Sequence, residues 1–358
     1  MLLALLGDIA LIGRYDKTIS PDVEKRIDAV RELVRGCDCV IANLESPLTS
    51  KEKTLACKGV YLRSDPCNIE SLKYTGITHV TLANNHTYDY GKQGAQETVQ
   101  TLSKAGIKYV GLNNRPEIVQ CGDSSIMIDG FCCLSANALN YGEKPGQVKM
   151  LSFDTMERFL LLAEKEHCLP IASVHFGLEG LHYPSREHIY LFRKLADNHA
   201  YILHGNHPHA MQGYESHNNS LLIYAQGNLC FDETPNTSIG FTPEEKPEER
   251  KCYISIVEIA NNRVISHKTV GLTDLDTGLL HQDNKIEEQL ETYCNALNQT
   301  VTDIEAKRAE ELNLQKTSAQ PRNTRFYLDR MNYKYIGAYL NGRKHAKQYS
   351  KIMGRFKA

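Results

Sequence analysis

The first 112 residues alternate between short apolar runs and capped amphipathic segments, and each of the first three runs ends on side chains that offer nitrogen or oxygen. "LLALLGD" closes on Asp8, "CDCVIANLE" on Asn43 and Glu45, and "ITHVTLANNH" on Asn84, Asn85 and His86. Between them, "SPDVEKRIDAVRELVRG" has a serine cap, an early proline and apolar residues at helical spacing. "DPCNIESLKYTG" and "GKQGAQETVQTLSKAG" stop on glycine, as helices do. Such alternation predicts strands in a parallel sheet with covering helices. Sites in these sheets form beyond the carboxyl ends of the strands. The polar residues at the ends of the apolar runs are therefore the first candidates for chemistry.

The pattern continues with a second set of elements. "EIVQC", "SIMID" and "FCCLSA" read as three short strands, and "SFDTMERFLLLAEKEH" as a helix. "PIASVHF" is a strand ending near His175, "PSREHIYLFRKLADNH" a helix, and "AYILHG" and "SLLIYAQGN" further strands. "CYISIVEIANNRVISHKTV" is a hairpin turning near Asn261 and Asn262. The expectation is an α/β fold with a second sheet, a four-layer α-β-β-α sandwich over residues 1–280. A long helix over Asn284–Asn313, within a segment 281–318, should pack on the outside, followed by a tail at 319–358.

"ILHGNHPHAM" supplies His204, His207 and His209. In an extended chain His207 and His209 point the same way, and Pro208 disfavours helix at His207. Neutral imidazoles of this kind suit Zn, Mn or Fe. His204 lies inside the strand and reads as structural.

Charge is uneven. Residues 321–358 hold five Lys, five Arg and one Asp, a net of +9 interleaved with Phe and Tyr, which leaves −11 on the remainder of a chain whose total is −2. The acidic remainder argues against nucleic acid. The basic tail suits peripheral association with an anionic membrane or a partner complex, with a simply solvated tail as the alternative. No apolar run reaches membrane-spanning length. "MLLALLGDIALIG" lacks a basic leader and reads as a buried strand. Eleven cysteines without a C-x-x-C pair predict reduced thiols and a cytoplasmic protein, peripheral at the inner face of the membrane if the tail binds lipid.

The motifs "GDIALIGR", "NLESPLT", "LANNHTYDYG", "HFGLEGLHYPS", "GNHPHAMQGYE" and "YAQGNLCFD" occur in this order across about residues 5–232. In them the chain resembles the capsule-synthesis CapA family, poly-γ-glutamate synthesis proteins with a calcineurin-like metallophosphoesterase fold. The resemblance implies metal ligands at Asp8, Glu45 (bridging), Asn85, His175, His207 and His209. It implies that His86 protonates a leaving oxygen or steadies the phosphoryl group, that Asp89 orients it, and that Glu179 stands behind the ligands. Arg14, Arg63 and Arg186 lie in motif regions, where they would clamp phosphate or carboxylate.

The phosphoesterase pattern has a histidine where this chain has Ala10, so Asn43 or water would substitute and one ion or two would bind. Phe176 stands where the family often has tryptophan, and Ala225 and Gln226 stand in place of its usual Ser-Leu. The implied activity is phosphoester hydrolysis by metal-activated water, with Mn, Fe or Zn, on a phosphorylated or carboxylate-rich glycan or polymer in capsule, exopolysaccharide or poly-γ-glutamate biosynthesis. The alternative is a non-catalytic, metal-containing binding component of a membrane-associated polymer synthesis assembly.

Overall fold

The computed structural model describes all residues except 53–59, 113–114, 137–147, 234–245, 276, 319–332 and 357–358. The expected alternation builds the first sheet. Strands β1 (Leu2–Ile9), β2 (Cys39–Leu44), β3 (His79–Thr81) and β4 (Lys108–Val110) are parallel neighbours in that order. Helices α1 (Val23–Val34), α2 (Ile69–Thr75) and α3 (Gly91–Lys104) lie between them in sequence.

The second sheet has the order β5 (Glu117–Cys121), β6 (Ser124–Cys132), β7 (Leu169–His175), β8 (Ile202–Asn206), β10 (Ser220–Ile223) and β9 (Tyr214–His217). Its central strands β6, β7, β8 and β10 run parallel. Helices α4 (Phe153–Lys165) and α5 (Arg186–Ala196) belong to it. The chain then returns to the first sheet. Strand β11 (Asn228–Cys230) pairs with β1, and β12 (Lys251–Ala260), β13 (Arg263–Thr273) and β14 (His281–Gln282) extend it past β1. The β12–β13 turn falls at Asn261 and Asn262, both in the left-handed region that a two-residue hairpin turn requires.

Side-chain alternation along β1 shows the layering directly. Leu3 and Leu5 enter a core shared with Ile128, Ile171 and Ile202 of the second sheet, while Ala4 and Leu6 enter a core shared with Ile27, Val30 and Leu72 of the helices. A third core joins Ala172, Val174 and Leu203 to Phe159, Ile189 and Phe192. Helix, sheet, sheet, helix: the four-layer α-β-β-α sandwich holds. Strands buried on both faces explain why the apolar runs are continuous rather than alternating.

Two expectations are corrected. "SIMID" and "FCCLSA" form one strand, β6, that runs through Gly130. A Cβ at Gly130 would sit 2.4 Å from Thr81 Oγ1, so this glycine permits close packing of the two sheets rather than ending a strand. The single long helix is two, α6 (Asn284–Leu297) and α7 (Val301–Ser318). Thr300 caps the second: its hydroxyl accepts the Asp303 N–H at 3.2 Å and donates to Asp303 Oδ2 at 2.6 Å.

A last helix, α8 (Tyr333–Met353), and the turn Gly354–Phe356 fold back on the second sheet's outer layer. Met353 and Phe356 are buried there, with Phe356 stacked on Phe153 at 6.1 Å between centroids. Among the described residues, no helix is long and apolar enough to cross a membrane.

Candidate metal centre

The carboxyl ends of β1, β2 and β3 meet those of β7 and β8 where the sheets approach each other. Asp8 lies near the end of β1 just after Gly7, where a Cβ would clash with Gly227 O; only glycine lets β11 come this close. Glu45 follows β2, and its N–H donates to Ile9 O. Both carboxylates are almost fully buried.

Glu45 is the centre of the constellation. Its Oε1 lies 3.8 Å from His86 Nε2, 3.7 Å from His175 Nε2 and 3.6 Å from His209 Nε2. Three groups place their donor atoms within 4.8 Å of one another: Asp8, Glu45 and His209; Glu45, His175 and His207; and Glu179, His207 and His209. Glu45 is common to the first two, the geometry of a bridging carboxylate.

Hydrogen bonds hold each group at a set angle. Asn43 Nδ2 donates to Asp8 Oδ1 at 2.7 Å and approaches His175 Nδ1 at 3.3 Å, while Asn84 Nδ2 donates to Asn43 Oδ1 at 3.2 Å. Asn43 thus presents its donor face to the ligands and acts as their spacer. His175 Nε2 meets Asn85 Oδ1 at 2.8 Å. The His207 N–H donates to Asp8 Oδ2 at 3.1 Å. His86 Nδ1 donates to Asp89 Oδ2 at 2.7 Å, and Asp89 is fixed in turn by the Leu62 N–H at 2.7 Å.

His207 and His209 converge by a route that spacing did not predict. The chain is not extended here: their φ angles are +102° and +54°. Positive φ at a non-glycine residue costs on the order of 1–3 kcal/mol and concentrates at functional sites. His204 keeps to its strand. It bridges the sheets, with Nε2 donating to Leu6 O at 2.8 Å and Nδ1 meeting Ser173 Oγ at 3.1 Å, and burial pushes it down to about 4.

The electrostatics favour positive charge at this point of the fold. Burial pushes the Asp8 carboxyl up, against the attraction of His209 and the bonds from Asn43 and His207. Burial alone would push His209 down, yet the carboxylates of Glu45, Asp8 and Glu179 outweigh it and raise the imidazole to about 9. Two buried carboxylates side by side are stable only with compensating positive charge. Carboxylate, imidazole and amide oxygen are the donors that Mn, Fe and Zn accept. The residues present therefore fit a divalent ion.

Ala10 occupies an apolar corner with Ile12, Val60, Leu62 and Phe231, and Phe231 packs 4.8 Å from the His209 ring. That side of the site offers no further ligand from Ala10.

The arginines are dispersed. Arg14 pairs with Asp232 at 3.1 Å and Asp274 at 3.1 Å, so it is engaged in holding the segment after β11. Arg63 is half-buried and acts on Tyr90. Arg186 stands at the start of α5, beside a separate cleft. Exposed Glu179 reaches the rim.

Sequence reasoning passed over Asn228. It lies at the start of β11, in register with Asp8, and its Oδ1 accepts from His209 Nδ1 at 2.8 Å. The signal was there in "YAQGNLCFD", whose glycine and asparagine abut the first strand.

Comparison with known proteins identifies relatives in capsule and PGA biosynthesis. The chain is 26% identical over 246 residues to the capsule biosynthesis protein CapA of Bacillus anthracis, covering 64% of this chain and 60% of that one. It is 27% identical over 244 residues to the PGA biosynthesis protein CapA of Bacillus subtilis, covering 64% and 63%. The chain thus matches less than two thirds of the length of these relatives. Among solved structures, the sulfate thiohydrolase SoxB of Thermus thermophilus aligns with a TM-score of 0.43 at 10% identity, over 82% of this chain and 47% of that one. The fold assignment rests on sheet order and family rather than on that alignment. The profile of the bacterial capsule synthesis protein PGA_cap matches residues 2–233, which hold every candidate ligand described above, and the chain belongs to that family.

Proposed function

We propose that this protein is a metal-dependent phosphoesterase-like enzyme in the synthesis of capsule, exopolysaccharide or poly-γ-glutamate. The observation that carries the reading is the His86–Asp89 pair at the edge of the carboxylate–imidazole cluster. A cluster alone binds an ion; a cluster with a poised proton donor suits ester cleavage. A divalent ion held by Asp8, Glu45 and His209, or by Glu45, His175 and His207, would supply Lewis acidity, acidifying water and offsetting charge on phosphoryl oxygens.

The chain's own residues do the rest. Asp89 accepts a hydrogen bond from His86 Nδ1–H and so turns Nε2 toward Glu45. With the ring protonated on both nitrogens, Nε2–H would give its proton to the leaving oxygen, leaving a neutral imidazole whose Nδ1–H stays bonded to Asp89. Asn43 keeps Asp8 and His175 apart at fixed angles. The substrate class is a phosphorylated or carboxylate-rich glycan or polymer, and the ion one or two of Mn, Fe or Zn. The exposed Arg343, Lys344 and Lys347 on α8 support peripheral association with an anionic membrane at its cytoplasmic face, or with a capsule-synthesis complex.

The apolar corner at Ala10 favours a second reading, a metal-containing binding component without turnover. One experiment separates them. The full chain, purified without chelator, is assayed for Mn, Fe and Zn by elemental mass spectrometry and for hydrolysis of phosphate mono- and diesters, with His86→Ala alongside. Bound ion with turnover that His86→Ala abolishes supports the enzyme. Bound ion without turnover selects the binding component. No ion after Mn incubation overturns both.

A further inference from the structure

A cleft of about 550 Å3 opens beside the metal cluster, on the other side of the loop that follows β7. Gly177 and Leu178 line the cleft, while the Gly180 N–H of the same loop donates to Pro208 O, between two candidate ligands, at 2.7 Å. Asp8, Glu45, His175, His207 and His209 do not line it. Its volume falls in the range of small-molecule sites, roughly 300–1,000 Å3. Its far wall comes from Glu305 and Arg308 of α7 and from Gly342, Ala346 and Tyr349 of α8. Both helices lie outside residues 2–233, so the family-matched part of the chain does not form this cleft alone.

Arg186 gives the cleft its chemistry. Its Nε is buried and has no hydrogen-bond partner among the described residues. The nearby Glu305 is already engaged: Oε2 accepts the Arg186 backbone N–H at 2.8 Å, and Oε1 pairs with Arg308 Nη1 at 3.0 Å. The Arg186 guanidinium packs over Tyr190 at 5.4 Å, a stacked and orientated fork. Buried N–H groups without acceptors are rare, and guanidinium forks match carboxylate and phosphate oxygens. Tyr183 and Tyr349 offer aromatic surface in the same cleft.

We propose that this cleft is a binding site, distinct from the metal cluster, for a small organic anion. Its carboxylate or phosphate pairs with Arg186, its body lies against Tyr183 and Tyr349, and α8 closes the wall.

The test is calorimetric titration of the full chain, stripped of cations by chelator and dialysed, with glutarate and with phenylphosphonate. Saturable one-to-one binding of either is expected, and the tighter probe identifies the head group. Arg186→Gln should weaken binding by about tenfold or more. Ala346→Trp, which obstructs the cleft from α8, should do the same without touching Arg186 and serves if Arg186→Gln misfolds. His207→Ala should leave affinity within about twofold. The proposal is overturned if neither probe saturates, if binding survives both cleft variants, or if His207→Ala abolishes it, which would assign the anion to the metal cluster.

Discussion

Asn228→Ala probes the metal centre without removing a ligand. Asn228 Oδ1 accepts the Nδ1 proton of His209 at 2.8 Å, and its Nδ2 donates to Glu249 O at 3.0 Å, which fixes the amide's orientation. With Nδ1 so engaged, Nε2 is the atom His209 turns toward Glu45, 3.6 Å away. Alanine leaves Nδ1 with Asp8 Oδ2 at 3.7 Å as its next acceptor, beyond hydrogen-bond reach. The ring then loses the bond that selects its tautomer and angle. Loss of such an outer partner typically weakens metal binding about 10–100-fold, equivalent to about 1.4–2.8 kcal/mol. The assay is competitive titration of Mn or Zn against a chromophoric chelator, with thermal melts to verify folding. Asn228→Asp, which keeps an acceptor for the same proton, should recover most of the affinity. Folded Asn228→Ala binding within about threefold of wild type would refute the role assigned to this bond.

Asp89→Asn retains an acceptor for the Leu62 N–H but weakens the hold on His86; turnover should fall by about a hundredfold or more with metal content unchanged. A parallel loss of metal would make the pair structural instead. Burial raises the Glu311 carboxyl from 4.5 to about 7, so the folded state holds its proton longer than the unfolded state and stability falls as pH rises through this window. Glu311→Gln keeps an acceptor for the His182 N–H, so its urea stability relative to wild type should increase between pH 5 and pH 8; a constant difference would rule out the titration. Replacing Arg343, Lys344 and Lys347 of α8 by Glu should weaken sedimentation with anionic vesicles by about a hundredfold or more, at roughly 1 kcal/mol per basic residue removed, and unaltered binding would dismiss the membrane role.

Most of the architecture was legible because burial leaves a plain mark. Strands covered on both faces must be apolar throughout, and where the apolar run stops the chain has reached the sheet edge. That is why Asp8, Asn43, Glu45, Asn85 and His175 stood out. Continuity was harder to read. Leu297, Val301 and Ile304 all enter the outer core, so the apolar spacing passes straight through the break between α6 and α7. Periodicity reports which face is buried, not whether the helix is unbroken; Thr300 and Asp303 carried that information. Gly130 misled for the opposite reason. It marks contact between sheets, which a one-dimensional pattern cannot separate from a strand end.

The histidine loop shows where local reasoning reaches its limit. Alternation in an extended chain named His207 and His209 as partners, yet both adopt left-handed backbone. Such conformations are held by their surroundings, and those lie far away in sequence. The Asp8 carboxylate from β1 accepts the His207 N–H, Asn228 from β11 holds the His209 ring, and Pro208 O is taken by Gly180 from the loop after β7. Three segments far apart in sequence thus hold a loop of three residues against its backbone preference. The same contacts that impose the strain also set the angles of the imidazoles around Glu45. The fold therefore bears the cost of organising the candidate ligands in advance, and the affinity of an ion bound there would depend on residues such as Asn228 that never touch it.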